Sequence, residues 1–278
     1  MTPIRMNHKT SVGVVGLGIV GLPTAIYAAR FFDVTGFDIS DNAIRAAAAR
    51  GLKVSDRIAQ DIGVYLVLVR TWMHSDGTPD VRSVYDVCEK IAESSKDPLV
   101  CIESTVPVGT TRDIEKQFGL TRVVHCPHRY WEKDPIRHGV AQPRVLGAKN
   151  KSALDLARRF YSKLKIRTHL VSSPEAAELS KIAEQAYRYV QIAFAEDLRM
   201  TCGLKGLSFE EVRAACNSKW NIEILEARQG IAGHCLPKDV RYLWTLRRSA
   251  LLSGAIQEDR NYRKHLRKND RNRSKAGT

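Results

Sequence analysis

Short strand-like runs recur through the first 171 residues and are separated by stretches of helical periodicity. The runs fall at residues 11–15, 34–39, 64–69, 99–103, 122–126, 144–147 and 166–171. Those at 64–69 and 99–103 are apolar without a break until their ends, as expected of strands covered on both faces. Between them, helical periodicity follows Gly21 and then covers 41–51, 81–93, 111–118 and 152–164, with a loop at 76–80 and a polar segment to Gln142. Strands alternating with helices predict a doubly wound parallel α/β sheet, with ligands at the carboxyl ends of its strands. After Val171 the pattern changes. Ser173-Pro174-Glu175 has the chemistry of a helix start, and helical periodicity then runs over 175–202 to a stop at Gly203. Ser208-Phe-Glu-Glu211 is a capping box opening another helix. The expected organisation is an α/β domain over 1–171, a helical domain with a long spine helix over 172–262, and a tail over 263–278. In the second domain, residues 230–239 read as a loop returning to the sheet.

Composition alters this picture little. Hydrophobic residues at 44% and charged residues at 27% are ordinary for a globular chain. No apolar run approaches a membrane span, and residues 1–10 lack the apolar core of a signal peptide, so the cytoplasm is the expected location. Six cysteines without a Cys-x-x-Cys pair argue against a metal site or a disulfide scaffold. The net charge of +14 suggests polyanion binding until it is mapped: 8 of the excess charges lie from Arg241 onward, where 11 Lys/Arg face 3 Asp/Glu. The final piece, residues 263–278, reads as a solvated, disordered tail rather than a nucleic-acid site.

Two stretches carry chemistry. In the first, strand 11–15 enters Gly16-x-Gly18-x-x-Gly21 and an alanine-rich helix follows. Gly16 allows the tight turn, Gly18 the approach of a pyrophosphate, and Gly21 the packing of helix on strand. Ile19 and Val20 complete the loop. Asp38 follows Gly16 by 22 residues, the spacing of a carboxylate that binds a ribose 2′-hydroxyl, which selects NAD over NADP. Thr71 and Thr105 fall at later strand ends. In the second, Gly230 to Asp239 places Cys235 in a Gly/Pro-punctuated segment with Lys238 and Asp239 nearby. A neighbouring cation favours a nucleophilic thiolate, and a carboxylate can direct water. Lys181 and Gln185 share one face of the spine helix.

Taken together, Gly16-Leu-Gly-Ile-Val-Gly-Leu-Pro23, Glu103-Ser-Thr-Val-Pro-Val-Gly-Thr-Thr111, Ala177-Glu-Leu-Ser-Lys181 and Gly233-His-Cys-Leu-Pro-Lys-Asp239 resemble the UDP-glucose/GDP-mannose dehydrogenase family. The forms Glu-Ser-Thr-Val-Pro and Gly-His-Cys look most like its UDP-N-acetylmannosamine branch. The resemblance spans residues 11 to about 262 in the family's order. It implies a Rossmann-like domain binding NAD, a helical dimerisation domain, a UDP-sugar substrate and a role in polysaccharide biosynthesis. The implied reaction takes a sugar C6 alcohol to a carboxylate in two oxidations. By motif position, Cys235 is the nucleophile, Lys181 the oxyanion stabiliser and Asp239 the residue acting on water. Thr105 and Glu132 stand beside the nicotinamide and water, Lys238 near the cofactor, and Gln185, His128 and Gly233 at the substrate.

Several positions depart from the family. Ala43 replaces a common cofactor-contacting Lys or Arg, His128 a Glu, Gln185 an Asn, and Ala232 a Gly. A helical segment that the family carries after Gly51 is omitted. The family also continues into a third domain where this sequence enters its basic end, so a separate chain could supply that domain. These departures keep two alternatives open: a degenerate NAD-binding paralogue without turnover, and a hydroxyacid-type dehydrogenase performing one oxidation.

Overall fold

A computed structural model describes the backbone of residues 10–276 and the side chains through Asn269. The expected absence of a leader therefore concerns residues that lie almost wholly outside the described part. The chain divides into two compact units within a long helix, between Lys181 and Ile182, rather than at the expected 171/172 boundary.

The first unit is built on strands β1 (Ser11–Val15), β2 (Asp33–Phe37), β3 (Lys53–Ser55), β4 (Val64–Val67), β5 (Trp72–Met73), β6 (Pro79–Asp80), β7 (Leu99–Ile102), β8 (Val123–His125), β9 (Arg144–Leu146) and β10 (Thr168–Leu170). Its helices are α1 (Gly21–Ala28), α2 (Asp41–Ala48), α3 (Arg82–Ser94), α4 (Thr110–Phe118) and α5 (Lys151–Lys163). Six strands form one parallel sheet in the order β3-β2-β1-β4-β7-β8, the doubly wound arrangement expected. The central strands β4 and β7 are buried at every position. Two apolar clusters account for this, one packing Val12, Val14, Leu66 and Cys101 and the other Val15, Tyr65, Val67 and Ile102. Side chains alternate between the two layers, so both faces are covered and the strands read as unbroken apolar runs.

The structure adds elements to the sequence reading. β3 pairs with β2 at the sheet edge, directly after Gly51. The expected loop at 76–80 is the turn and end of a small hairpin in which β5 pairs with β6 and Gly77 adopts φ +83°. β9 and β10 pair with each other, and His125 and Gly147 join them to the end of β8 by an antiparallel bridge.

Helix α6 (Pro174–Leu204) begins in the first unit and continues into the second, with α7 (Phe209–Asn217), α8 (Cys235–Arg247) and α9 (Ala250–Ala276). α6 passes through Gly203 and stops two residues beyond the expected end, where Gly206 takes φ +69° and Leu207 donates back to the Cys202 carbonyl. The capping residue expected at Ser208 accepts from the Glu211 N–H at 3.2 Å. The second unit's core joins Tyr189 and Ala193 of α6 to Val240 of α8 and to Leu252 and Ala255 of α9.

Two expectations need correction here. Residues 235–239 are the first turn of α8 rather than loop, because Pro237 sits where a helix has no intrahelical use for an N–H. The basic end expected to be disordered is helical to Ala276, since Leu252, Ala255, Asp259 and Tyr262 form one buried stripe that Leu266 extends. The side chains from 270 onward lie outside the described residues.

Candidate active site

The glycine loop follows β1 directly. Gly16 turns at φ +94°, and an added Cβ would stand 2.6 Å from the Leu68 carbonyl oxygen. A Cβ on Gly21 would stand 1.6 Å from the Gly16 oxygen, so helix α1 can lie this close to the turn only with glycine there. Gly18 faces open space, with nothing within 4 Å of such a Cβ, and Ile19 beside it is 65% exposed. Val20 precedes α1 with no side-chain hydrogen bond. Leu22 N–H donates to the Gly18 carbonyl at 3.1 Å and Pro23 has no N–H, which leaves the Gly21 N–H at this helix start for a ligand. Asp38, one residue past β2, accepts from Leu17 N–H at 2.7 Å and Ser40 N–H at 2.9 Å. Each of its oxygens keeps a lone pair for a ribose hydroxyl. Open space at Gly18, the Gly21 N–H at the helix start and this carboxylate together fit a dinucleotide: the glycine loop and helix start would hold the pyrophosphate and Asp38 the ribose.

Thr71 and Thr105 lie beyond the ends of β4 and β7. The buried Thr71 hydroxyl donates to the Thr105 carbonyl at 2.9 Å, and Ser104 donates to the Val69 carbonyl at 2.7 Å. These bonds tie the two strand ends together beside the loop. Glu132 is exposed on the segment after β8.

Behind the strand ends lies a buried polar cluster that the sequence reading saw only in pieces. Glu103 Oε1 accepts from the Tyr161 hydroxyl at 2.7 Å, and Oε2 is 3.8 Å from Arg144 Nε and 3.6 Å from His128 Nε2. Arg144 Nη2 lies 2.6 Å from His128 Nε2, which must accept because a guanidinium has no lone pair to offer. The His128 ring is therefore neutral, with its proton on Nδ1. Burial holds His128 well below its usual pKa, and the charges of Arg144 and Lys181 push it the same way. Burial raises Glu103, opposed by Arg144 and Tyr161. Replacing a family Glu by His128 thus puts a neutral acceptor beside Arg144.

Lys181 is 7% exposed, close enough for His128 to feel its charge. One turn before it, Glu178 accepts from the N–H groups of Gly109 (2.6 Å) and Thr111 (2.7 Å) and from the Thr111 hydroxyl (2.6 Å). This carboxylate caps α4 from another helix. Burial pushes its pKa up to about 6 despite those bonds. Arg144 and Glu178 were missed as site residues. Glu178 lies inside a motif already quoted, three residues before Lys181, which was its available signal.

In the second unit, Gln185 is half-buried one turn further along α6. Gly233 takes φ +89°, whereas Ala232 is absent from the positive-φ positions, so its methyl costs no backbone strain. Cys235 is exposed at the first residue of α8. The positive end of a helix favours negative charge on a sulfur so placed. Lys238 and Asp239 are buried one turn on, and they pair with each other. The Lys238 ammonium also stands 4.2 Å from the Tyr242 ring centroid, so it is engaged within this unit. Asp239 Oδ2 has no hydrogen-bond partner among the described residues.

The expected residues thus fall into two sets. The first unit carries the glycine loop, Asp38, Thr71, Thr105, His128, Glu132 and Lys181, and the second carries Gln185, Gly233, Cys235, Lys238 and Asp239.

A parallel sheet with this glycine loop and Asp38 beyond β2 defines a dinucleotide-binding α/β protein. Comparison with known proteins is specific. The NAD-binding domain of the UDP-glucose/GDP-mannose dehydrogenase family matches residues 48–165 and its central domain matches 175–259. The chain belongs to that family. It is 29% identical to an NDP-N-acetyl-D-galactosaminuronic acid dehydrogenase of Ralstonia solanacearum, over 85% of this chain and 64% of that protein. It is 30% identical to a UDP-N-acetyl-D-mannosamine dehydrogenase of Pyrococcus horikoshii, over 82% of this chain and 62% of that protein. A solved structure of a Pyrococcus horikoshii UDP-D-ManNAc dehydrogenase superposes with a TM-score of 0.80 at 29% identity, covering 91% of this chain and 68% of that one. The chain thus spans a little under two thirds of the length of these curated relatives. Among the described residues, no helix is long and apolar enough to cross a membrane.

Proposed function

We propose that the chain acts as an NAD-dependent nucleotide-sugar 6-dehydrogenase, oxidising the C6 alcohol of a UDP-linked N-acetylhexosamine to a carboxylate through a covalent adduct on Cys235. The observation that carries this reading is Cys235 itself, exposed at a helix start, with a Lys238–Asp239 pair on the next turn of α8. Bound NAD⁺ supplies the hydride acceptor, once for each oxidation. The Cys235 thiolate adds to the C6 aldehyde and forms a C–S bond, while the Lys181 ammonium stabilises the oxygen that gains charge. Hydride loss from that adduct leaves a thioester. Asp239, through Oδ2, directs water onto the thioester carbon; the C–S bond breaks and the thiolate is restored. One alcohol, two NAD⁺ and one water give one carboxylate, two NADH and three protons. Thr105 and Glu132 are assigned to the nicotinamide and the water, Gln185, His128 and Gly233 to the sugar. Tyr187 and Phe194, 67% and 56% exposed and seven residues apart on α6, support self-association through that helix.

The test is NADH release against a panel of UDP- and GDP-sugars. Two NADH per sugar are expected, with Cys235→Ser abolishing turnover while NAD⁺ binding persists. One NADH per substrate would instead indicate a single-oxidation hydroxyacid-type enzyme. Absence of turnover across the panel, with NAD⁺ still bound, would indicate a binding protein.

A further inference from the structure

The second unit contains a cavity of about 240 Å³ whose polar lining is mostly arginine: Arg241 of α8 and Arg260 and Arg263 of α9, with Tyr189 and Asp259. Asp259 is already committed. Its Oδ1 accepts from Ile231 N–H at 2.7 Å and Arg263 Nε at 3.0 Å, and its Oδ2 from the Tyr189 hydroxyl at 3.2 Å. Arg263 also donates to the Ile231 carbonyl, so Asp259 and Arg263 form a closed, neutral pair that shapes the cavity. Arg241 and Arg260 differ. Both are exposed, on different helices, and neither has a hydrogen bond or ion pair among the described residues. Two uncompensated guanidinium groups therefore stand at one concavity.

We infer that this cavity binds a small phosphate-bearing anion, held by Arg241 and Arg260 against the Asp259–Arg263 pair. A phosphate monoester carries about −1.5 to −2 charge at neutral pH, which matches two free guanidinium groups better than a single carboxylate does. Guanidinium forks from two helices can engage different oxygens of a tetrahedral anion. The volume is below the roughly 300–1,000 Å³ of sites for drug-sized ligands, so the occupant is phosphate or a small phosphate ester. Pro237, two residues after Cys235, also lines the cavity, so the anion would bind against the helix that presents the thiol. This site is independent of the proposed dehydrogenase reaction.

The test titrates the full chain with inorganic phosphate by calorimetry at constant ionic strength set with chloride, in the presence of saturating NAD⁺ to keep phosphate out of the glycine loop. Saturable binding is expected, together with a rise in thermal midpoint that follows the measured Kd. The double variant Arg241→Ala/Arg260→Ala should weaken binding at least tenfold with an unchanged circular dichroism spectrum, because neither side chain supports the fold. Citrate at equal charge should bind more weakly. Equal binding of citrate, binding unchanged in the double variant, or no saturation beyond the chloride control would each overturn the inference.

Discussion

Helix α4 starts at Gly109, which takes φ +100° and has no side chain to accept the first N–H groups, and Glu178 reaches across from α6 to accept two of them. An unpaired buried donor costs about 1–3 kcal/mol, more when the lost partner is charged. Glu178→Ala strands one buried and one half-buried backbone donor and the Thr111 hydroxyl. It should destabilise the chain by roughly 2–4 kcal/mol in denaturant titrations. Glu178→Gln keeps an acceptor and should lose clearly less. If Ala and Gln cost the same, the carboxamide is not capping α4 and the geometry described here is wrong. The position also links two motifs, since Thr111 ends the segment beginning at Glu103 and Glu178 stands one turn from Lys181. Those motifs are spaced apart in sequence and joined by this one carboxylate.

At the scale of elements, the glycine loop separates two roles that a motif runs together. Gly21 serves packing, because any Cβ there collides with the Gly16 oxygen, whereas Gly18 faces open space and serves the ligand. Gly21→Ala should therefore lower the unfolding midpoint and abolish NAD⁺ binding together. Gly18→Val should weaken NAD⁺ binding at least tenfold while leaving the thermal midpoint of the ligand-free chain within about 1 °C; a large loss of stability in Gly18→Val would remove the distinction. Legibility followed the same divide between local and long-range causes. β1, β4 and β7 are apolar runs covered on both faces, and the caps of α6 and α7 are local chemistry, so all were readable. β3 is three residues, Lys53 to Ser55, at a sheet edge, and its only signal is the partner strand it pairs with. α9 is mostly polar, and its buried stripe passes through an aspartate that is satisfied by Ile231, Tyr189 and Arg263. In the candidate site, Cys235 and the glycine loop announce themselves by residue type and spacing. Arg144 beside His128 could not be found that way, because β9 brings it there from 16 residues away.

For the whole molecule, buried titratable groups set opposing slopes of stability against pH. His125 is fully buried, and burial holds its pKa at about 3; His128 is held low as well. The unfolded chain takes up these protons below about 6.5 and the folded chain does not, so both histidines make stability fall as pH drops from about 6.5. Glu196 acts in the opposite direction. It is completely buried on α6, neither carboxylate oxygen has a hydrogen-bond partner among the described residues, and burial with nearby Asp259 raises its pKa to about 8. Between an unfolded value of about 4.3 and the folded value, the folded chain keeps a proton that the unfolded chain releases. Stability conferred by protonated Glu196 is therefore complete below pH 4 and is lost as pH rises to about 8, with a limiting slope of about 1.4 kcal/mol per unit. The histidine slope fades over the unit above pH 6.5, and Glu196 dominates from about pH 7.25. Denaturant titrations at pH 7.25, 7.6 and 8 should show wild-type stability declining by roughly 0.7 kcal/mol per unit, and Glu196→Gln should abolish that decline, because the amide has no proton to lose. An identical decline in Glu196→Gln would assign the alkaline loss to another group, and a decline reversed in sign would mean that Glu196 is ionised in the folded chain.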